Sequence, residues 1–246
     1  MHIVPLYITI DVIAVWMLAR QMEVRRYDPR WTTPLNILLA GPSQSGKTQY
    51  VSKLIKHFPW LLDRPMQKIV FCYAVWQPAY DEMKRQYTNI NFHEGLPDSP
   101  FELFSSEDRP GLMIFDDLMG ELTDKENKKK IEQWFTRGSH HHDVSLCVLI
   151  QNLFPKDMRT VSLNAHIIIY FTNPRDQLQL RTLARQAFPS QGDRIKRAYL
   201  AIKDTPYHPL ILDFQQKTPD EFRVRTGLLP EELKSRHEPF SKLYVS

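Results

Sequence analysis

The chain has 246 residues, 42% hydrophobic and 24% charged, a balance that suits a globular fold and excludes a disordered or disulfide-stapled one. Its two cysteines, Cys72 and Cys147, sit inside the apolar runs IVFCYA and SLCVLI and read as buried thiols in a reducing compartment. A net charge of +4 permits a nucleic-acid partner without requiring one.

Residues 1–30 form an apolar extension. Within it Ile3–Leu18 carries one charge, Asp11, and is shorter than the about 20 residues of a spanning helix. It also lacks the basic start and small-residue cleavage site of a signal peptide. The reading is an accessory strand or helix on an intracellular chain, with no stable membrane association expected. From Trp31 the pattern changes to short β-rich runs alternating with helical stretches, which predicts a mainly parallel sheet with crossover helices. Strands are predicted at Asn36–Ala40, Lys68–Ala74, Leu112–Asp116, Ser145–Gln151 and His166–Thr172. Two further runs, Pro209–Phe214 and Phe222–Thr226, extend the sheet. Helices are predicted near Lys47–His57, Lys125–Arg137, Asp176–Ala187 and Asp193–Lys203, the third with Leu178, Leu180, Leu183 and Ala184 at helical spacing. Leu96–Pro110, with three prolines, reads as a surface connection. Residues 31–228 make one domain, and residues 229–246 a charged tail.

The strand NILLA runs into Gly41-Pro42-Ser43-Gln44-Ser45-Gly46-Lys47-Thr48, which fits G-x-x-x-x-G-K-[ST] with an apolar strand before it and an amphipathic helix after. Glycines let such a loop turn its N–H groups toward phosphate oxygens, and the following helix aims its positive end there. Lys47 is the charge for the β- and γ-phosphates, and Thr48 the hydroxyl for Mg²⁺. The run Leu112-Met-Ile-Phe-Asp116-Asp117 carries two carboxylates to the end of a buried strand, where open α/β sheets hold ligands. Asp116 is the candidate to hold Mg²⁺ through its water shell, and Asp117 the candidate to polarise the attacking water. A helix cap is the alternative for the pair. Gln151, at the tip of SLCVLIQ, is read as a γ-phosphate sensor, with a loop cap as its alternative. The pattern points to an NTPase using ATP and Mg²⁺.

Other clusters carry less. Ser139-His140-His141-His142-Asp143 invites a metal, but consecutive histidines diverge and no ligand-spaced partners accompany them, so a polar loop is the reading. Lys125–Lys130 reads as a solvated helix face, with a DNA contact as its alternative. Arg175, Arg181 and Arg185 form a stripe that suits phosphates, a neighbour's nucleotide, or solvent alike.

Several segments together resemble a known group: GPSQSGKT, CYAVWQPAY, LMIFDDLM, FTRGSHHHDVSLCVLIQNLFPKDMRTVSLNAHIIIYFTNPRD and LARQAFP. The chain resembles the FtsK–HerA type genome-packaging ATPases of Maverick/Polinton elements, adintoviruses and related large DNA viruses, including the poxvirus packaging enzyme. The resemblance runs from about Trp31 to Thr226. It implies a RecA-like P-loop NTPase fold with helices on both faces of the sheet, and ATP-driven movement of double-stranded DNA into a capsid. It implies a homo-oligomeric ring, capsid or portal-like partners, and work in the host nucleus or a virus assembly site, otherwise in cytoplasm or nucleus. Lys47 and Thr48 match the family's phosphate loop, Asp116 and Asp117 its second acidic motif, and Gln151 its sensor glutamine. Arg137, with Arg159 and Arg175 behind it, is the candidate to reach a neighbour's γ-phosphate. FtsK and HerA proteins carry Glu where Asp117 stands, although virus-type members show the Asp-Asp pair. Close relatives often carry arginine where His142 stands. A helicase or replication ATPase, and a domesticated protein that only binds DNA, are the rival readings.

Overall fold

Every residue of β1 (Asn36–Ala40) is buried, which a strand achieves only with neighbours on both edges and cover on both faces. In the computed structural model, which describes residues 28–118, 120, 124–153, 159–175, 177–189, 192–232 and 242–243, those neighbours are β5 (Val144–Ile150) and β6 (Ile167–Tyr170), both parallel to it. Beyond β5 come β4 (Gly111–Asp116), β2 (Lys68–Tyr73) and the edge strand β3 (Ile90–Glu94), all parallel. Beyond β6 the sheet continues antiparallel through β7 (Leu210–Asp213), β8 (Val224–Thr226) and β9 (Lys242–Leu243), giving nine strands in the order β3-β2-β4-β5-β1-β6-β7-β8-β9.

Successive side chains of each strand serve opposite layers, the period-two consequence of the pleat. Ile37 and Leu39 of β1, with Leu112 and Ile114 of β4, pack beneath α1 (Lys47–Leu61) and α2 (Pro78–Gln86) through Val51, Leu54, Tyr80 and Met83. Leu38, Met113, Phe115 and Val148 face the other layer. That layer holds α3 (Lys125–Gln133), a π-turn over Trp134–Gly138, the short α4 (Ser139–His142) and α5 (Arg159–Leu163), then α6 (Leu178–Ala187) and α7 (Gly192–Ile202). Each fully buried Leu or Ile contributes roughly 1.5–3 kcal/mol, so the interior strands supply most of the hydrophobic stabilisation.

The predicted strands and helices all form, within a few residues of their expected ends. The helix predicted over Lys125–Arg137 ends as α-helix at Gln133 and passes through the π-turn instead. Several elements had no sequence prediction: α2, which starts with Pro78 in its first turn, the edge strand β3, whose Asn91, His93 and Glu94 break the apolar run, α5, β9, and α4, which forms one helical turn where a polar loop was expected. Leu96–Pro110 is more than a surface connection, because it turns through a 3-10 helix at Pro100–Leu103 and buries Phe104 to 3% exposure. Both cysteines are buried, and burial pushes the Cys147 thiol well up. The apolar run Ile3–Leu18 lies outside the described residues, as does most of the charged tail. The described start of that tail, Pro230–Glu232, folds back on α1. Glu231 meets His57 at 2.9 Å and Lys56 at 3.1 Å, and Tyr50 donates to Glu232 at 3.3 Å.

The antiparallel extension contains a buried ion pair. Arg225 Nη2 donates to Asp213 Oδ2 at 2.8 Å, while Asp213 Oδ1 accepts from Gln215 N at 3.0 Å and Thr218 Oγ1 at 2.9 Å. Removing one partner of such a pair strands the other charge in the interior. Asp213→Ala should therefore cost about 3–5 kcal/mol in urea unfolding, and Asp213→Leu/Arg225→Met should cost less than the single change. A single-variant loss below about 1 kcal/mol would show the pair contributes little.

Candidate active site

Three strand ends converge because β4, β5 and β1 are parallel neighbours. In register, Ala40 stands opposite Ile150, and Phe115 opposite Val148. The phosphate loop after β1, Gln151 after β5 and the Asp116–Asp117 pair at the end of β4 thus reach the same sheet edge.

The loop itself is built on two glycines that nothing else can replace. A Cβ on Gly41 would lie 2.5 Å from the Phe171 Cβ beneath it, and 3.0 Å from Ser45 Oγ. Gly46 has φ +89°, and its Cβ would meet the Tyr207 ring at 2.8 Å. Gly46 caps α1 without a side-chain hydrogen bond, and the helix has no acidic residue in its first turn, so its positive end is left for an anion. Ser45 Oγ is buried with no hydrogen-bond partner inside the loop. Lys47 Nζ donates to the carbonyls of Gly41 at 2.7 Å and Pro42 at 3.0 Å. Burial pulls the Lys47 ammonium below its ordinary value, opposed by the charges of Asp116 and Asp117. A polyphosphate on the loop would reverse that shift. The cradle and its unpartnered hydroxyl fit phosphate.

Thr48 Oγ1 donates to Asp116 Oδ2 at 2.7 Å, and Tyr80 OH donates to the same oxygen at 3.0 Å. Asp116 is only 4% exposed, and burial raises its carboxyl above the ordinary value, resisted by these two hydrogen bonds. A hydroxyl and a carboxylate meeting beside a phosphate loop are the hard oxygen donors that Mg²⁺ takes, so the residues present fit that ion. Asp117 is exposed, has φ +57°, and lines a cavity of about 640 Å³ together with Lys47, Thr48, Asp116 and Gln151.

Arg137 stands apart. It is exposed at the end of the π-turn, just before the start of β5, on the sheet edge opposite the phosphate loop. Arg175 is exposed in the turn after β6, at the same edge as the loop. The Arg159 side chain lies outside the described residues. The histidines diverge as their sequence implied: His142 stacks on Phe101 at 4.3 Å, and His140 meets His166 edge-on at 5.5 Å. Among the described residues no helix is long and apolar enough to cross a membrane.

Among the residues that the sequence reading gave no role, three stand at the site: two line the cavity, and one holds Asp116 from behind it. Tyr80 binds Asp116 from α2, Gln77 precedes that helix at the cavity wall, and Tyr207 comes from the TPYHP connection before β7. The one sequence signal for the first two is the proline after Gln77, which starts a helix two residues before Tyr80.

The fold is that of the RecA-like P-loop NTPases, and the site stands where the phosphate-loop motif predicted it. No protein-family model matches the chain, and no curated protein matches it. Solved structures do. The genome packaging NTPase B204 from Sulfolobus turreted icosahedral virus 2 in complex with AMP is 17% identical, covers 78% of this chain and 96% of its own, and superposes with a TM-score of 0.51. The same protein in complex with ATP-gammaS is 19% identical over 75% and 95%, with a TM-score of 0.52. B204 described as the DNA-packaging ATPase from Sulfolobus Turreted Icosahedral Virus is 14% identical over 78% and 96%, with a TM-score of 0.51. At these identities the likeness is one of fold.

The raised Asp116 carboxyl has a measurable consequence. The unfolded chain gives up this proton more readily, so the full stability is present below the unfolded value of about 3.9 and is lost as pH rises through the folded one. Without added nucleotide, Asp116→Asn should melt above wild type at pH 7, and the difference should close toward about pH 4. Calorimetry across that range checks it; a pH-independent difference would contradict the burial argument.

Proposed function

We propose that this chain is an ATP-hydrolysing motor that moves double-stranded DNA into a capsid as a homo-oligomeric ring. The enzymatic half is carried by one observation: the Thr48–Asp116 contact, Asp117 and Gln151 share a single cavity with the phosphate loop. The packaging half is supported by the motif resemblance and by the likeness in fold to B204, a genome packaging NTPase. The positive net charge suits a phosphate-backbone partner.

In this reading the loop amides and Lys47 hold the β- and γ-phosphates, and Thr48, with Asp116 through the water shell, would hold Mg²⁺. The bound ion supplies neutralisation of charge on the phosphate oxygens. Gln151 orients a water in line with the γ-phosphorus. As the water oxygen bonds to that phosphorus, Asp117 takes its proton and the bond to the β,γ-bridging oxygen breaks, leaving ADP. Most of the rate then comes from positioning and charge stabilisation. Arg137, exposed and remote from its own chain's cavity, is read as acting on a neighbour's site, with a solvated helix-end arginine as the alternative.

Steady-state ATPase assays test the reading. Lys47→Ala should abolish nucleotide binding, and Asp117→Asn should keep binding while slowing turnover by ~10²–10⁴. Long double-stranded DNA should stimulate wild type more than short single strands, and the effect should fade steeply with salt. Normal turnover by Asp117→Asn would remove that residue from the mechanism, and DNA-independent turnover at low salt would remove the motor.

The ring is tested by mixing. An Arg137→Ala chain holds ATP, and a Lys47→Ala chain supplies an intact arginine, so mixtures should recover part of the activity that each lacks alone. No recovery from co-assembled chains would exclude Arg137 as the residue acting across the interface.

A further inference from the structure

The cavity over the phosphate loop has two flanks, and the strand order assigns them. Asp116, Asp117 and Gln151 follow β4 and β5, on one side of β1. On the other side lie β6 and β7. These two strands are antiparallel, with Tyr170 opposite Leu210, so the start of β7 reaches the same sheet edge as the phosphate loop. Tyr207 stands three residues before that start and lines the cavity, as do Gln49 and Lys53 of α1. If the γ-phosphate faces the carboxylates, the nucleoside lies toward the Tyr207 flank.

We propose that Tyr207 is the platform on which the nucleobase stacks, a role that rests on the nucleotide reading above. The contact with Gly46 sets one edge of its ring against the phosphate loop itself. Its side chain is nevertheless 65% exposed, an unusual position for a large aromatic that is in contact with a binding loop. Its backbone is left-handed, at φ +64°, which is unfavourable for a bulky residue and persists only where the surroundings enforce it. The enforcing contacts come from its neighbour. His208 Nδ1 lies 3.1 Å from the Pro206 carbonyl, and His208 Nε2 lies 3.3 Å from that of Glu232. The connection is also tied to α7, through Thr205 N donating to Ile202 O at 2.9 Å. A strained, exposed aromatic held at the mouth of a phosphate site has the form of a stacking surface. Tyr50, the other aromatic among the described cavity residues, is buried with its hydroxyl on Glu232 and offers no such face. Because stacking reads the flat face of a base, Tyr207 contributes to affinity for the nucleoside and nothing to the phosphates.

That division gives the test. Binding of ATP and of inorganic tripolyphosphate, each with Mg²⁺, is measured by calorimetry for wild type, Tyr207→Phe, Tyr207→Ala and Tyr207→Gly. Tyr207→Ala and Tyr207→Gly should each lose about 10-fold in ATP affinity, Tyr207→Phe should stay within about twofold, and tripolyphosphate should bind all four alike. Glycine takes positive φ without strain, so Tyr207→Gly should melt no lower than wild type, separating lost stacking from lost folding. Unchanged ATP affinity in Tyr207→Ala would overturn the proposal, as would a parallel loss of ATP and tripolyphosphate. Wild type that binds neither ligand would overturn the nucleotide reading and this role with it.

Discussion

The 2.7 Å hydrogen bond from Thr48 to Asp116 is the contact on which the rest of the site depends. It joins the first turn of α1 to the end of β4, across the width of the strand between them. Neighbouring strands lie about 4.8 Å apart, so β1 and β4 are separated by about 9.6 Å. A threonine in the first turn of a helix and a carboxylate at a strand tip bridge that gap because both strands are parallel and in this register. The insertion of β5 also delivers Gln151 between them. Ordinary strand pairing, extended through a buried sheet, thus sets the width of the site.

The site is also where the molecule gives up stability. Asp116 is buried with a raised carboxyl, Ser45 Oγ has no partner among the described residues, and both Asp117 and Tyr207 hold left-handed backbones. Each is unfavourable in isolation, by about 1–3 kcal/mol for a strained residue. The interior strands offset them, since β1, β4 and β5 are buried along their whole lengths. Several local misfits thus gather at this edge of the sheet, as expected when a site is shaped for an anion that the free protein does not supply, although others, such as the left-handed Asp143 and the buried Asn36 Oδ1, lie at the opposite edge.

The central strands were legible because each is an unbroken apolar run, and β1 matches its predicted limits residue for residue. The phosphate loop was legible because its chemistry is local, with every group within eight consecutive residues. What sequence could not give is what distant segments do to one another. Tyr80 lies in a stretch for which no element was predicted, and only the packing of α2 on the sheet brings its hydroxyl to Asp116. Tyr207 reads as part of a Pro-flanked loop, and only the antiparallel turn into β7 sets it on Gly46. Phe104 is buried although its segment carries the prolines and acidic residues of a surface loop. Edge strand β3 escaped because a strand paired on one side needs little apolar content.

The left-handed backbone of Asp117 bears on which acids can stand there at all. Outside glycine, that region is populated chiefly by asparagine and aspartate, whose short side chains bond to nearby main chain; a longer glutamate gains no such relief. A glutamate at this point would hold the same turn only at added cost, as Gln44 does in the phosphate loop. The Asp-Asp pair is then a matter of main-chain geometry as much as of acidity: the shape of the exit from the strand favours the shorter side chain, so exchange between the two acids trades backbone strain against reach.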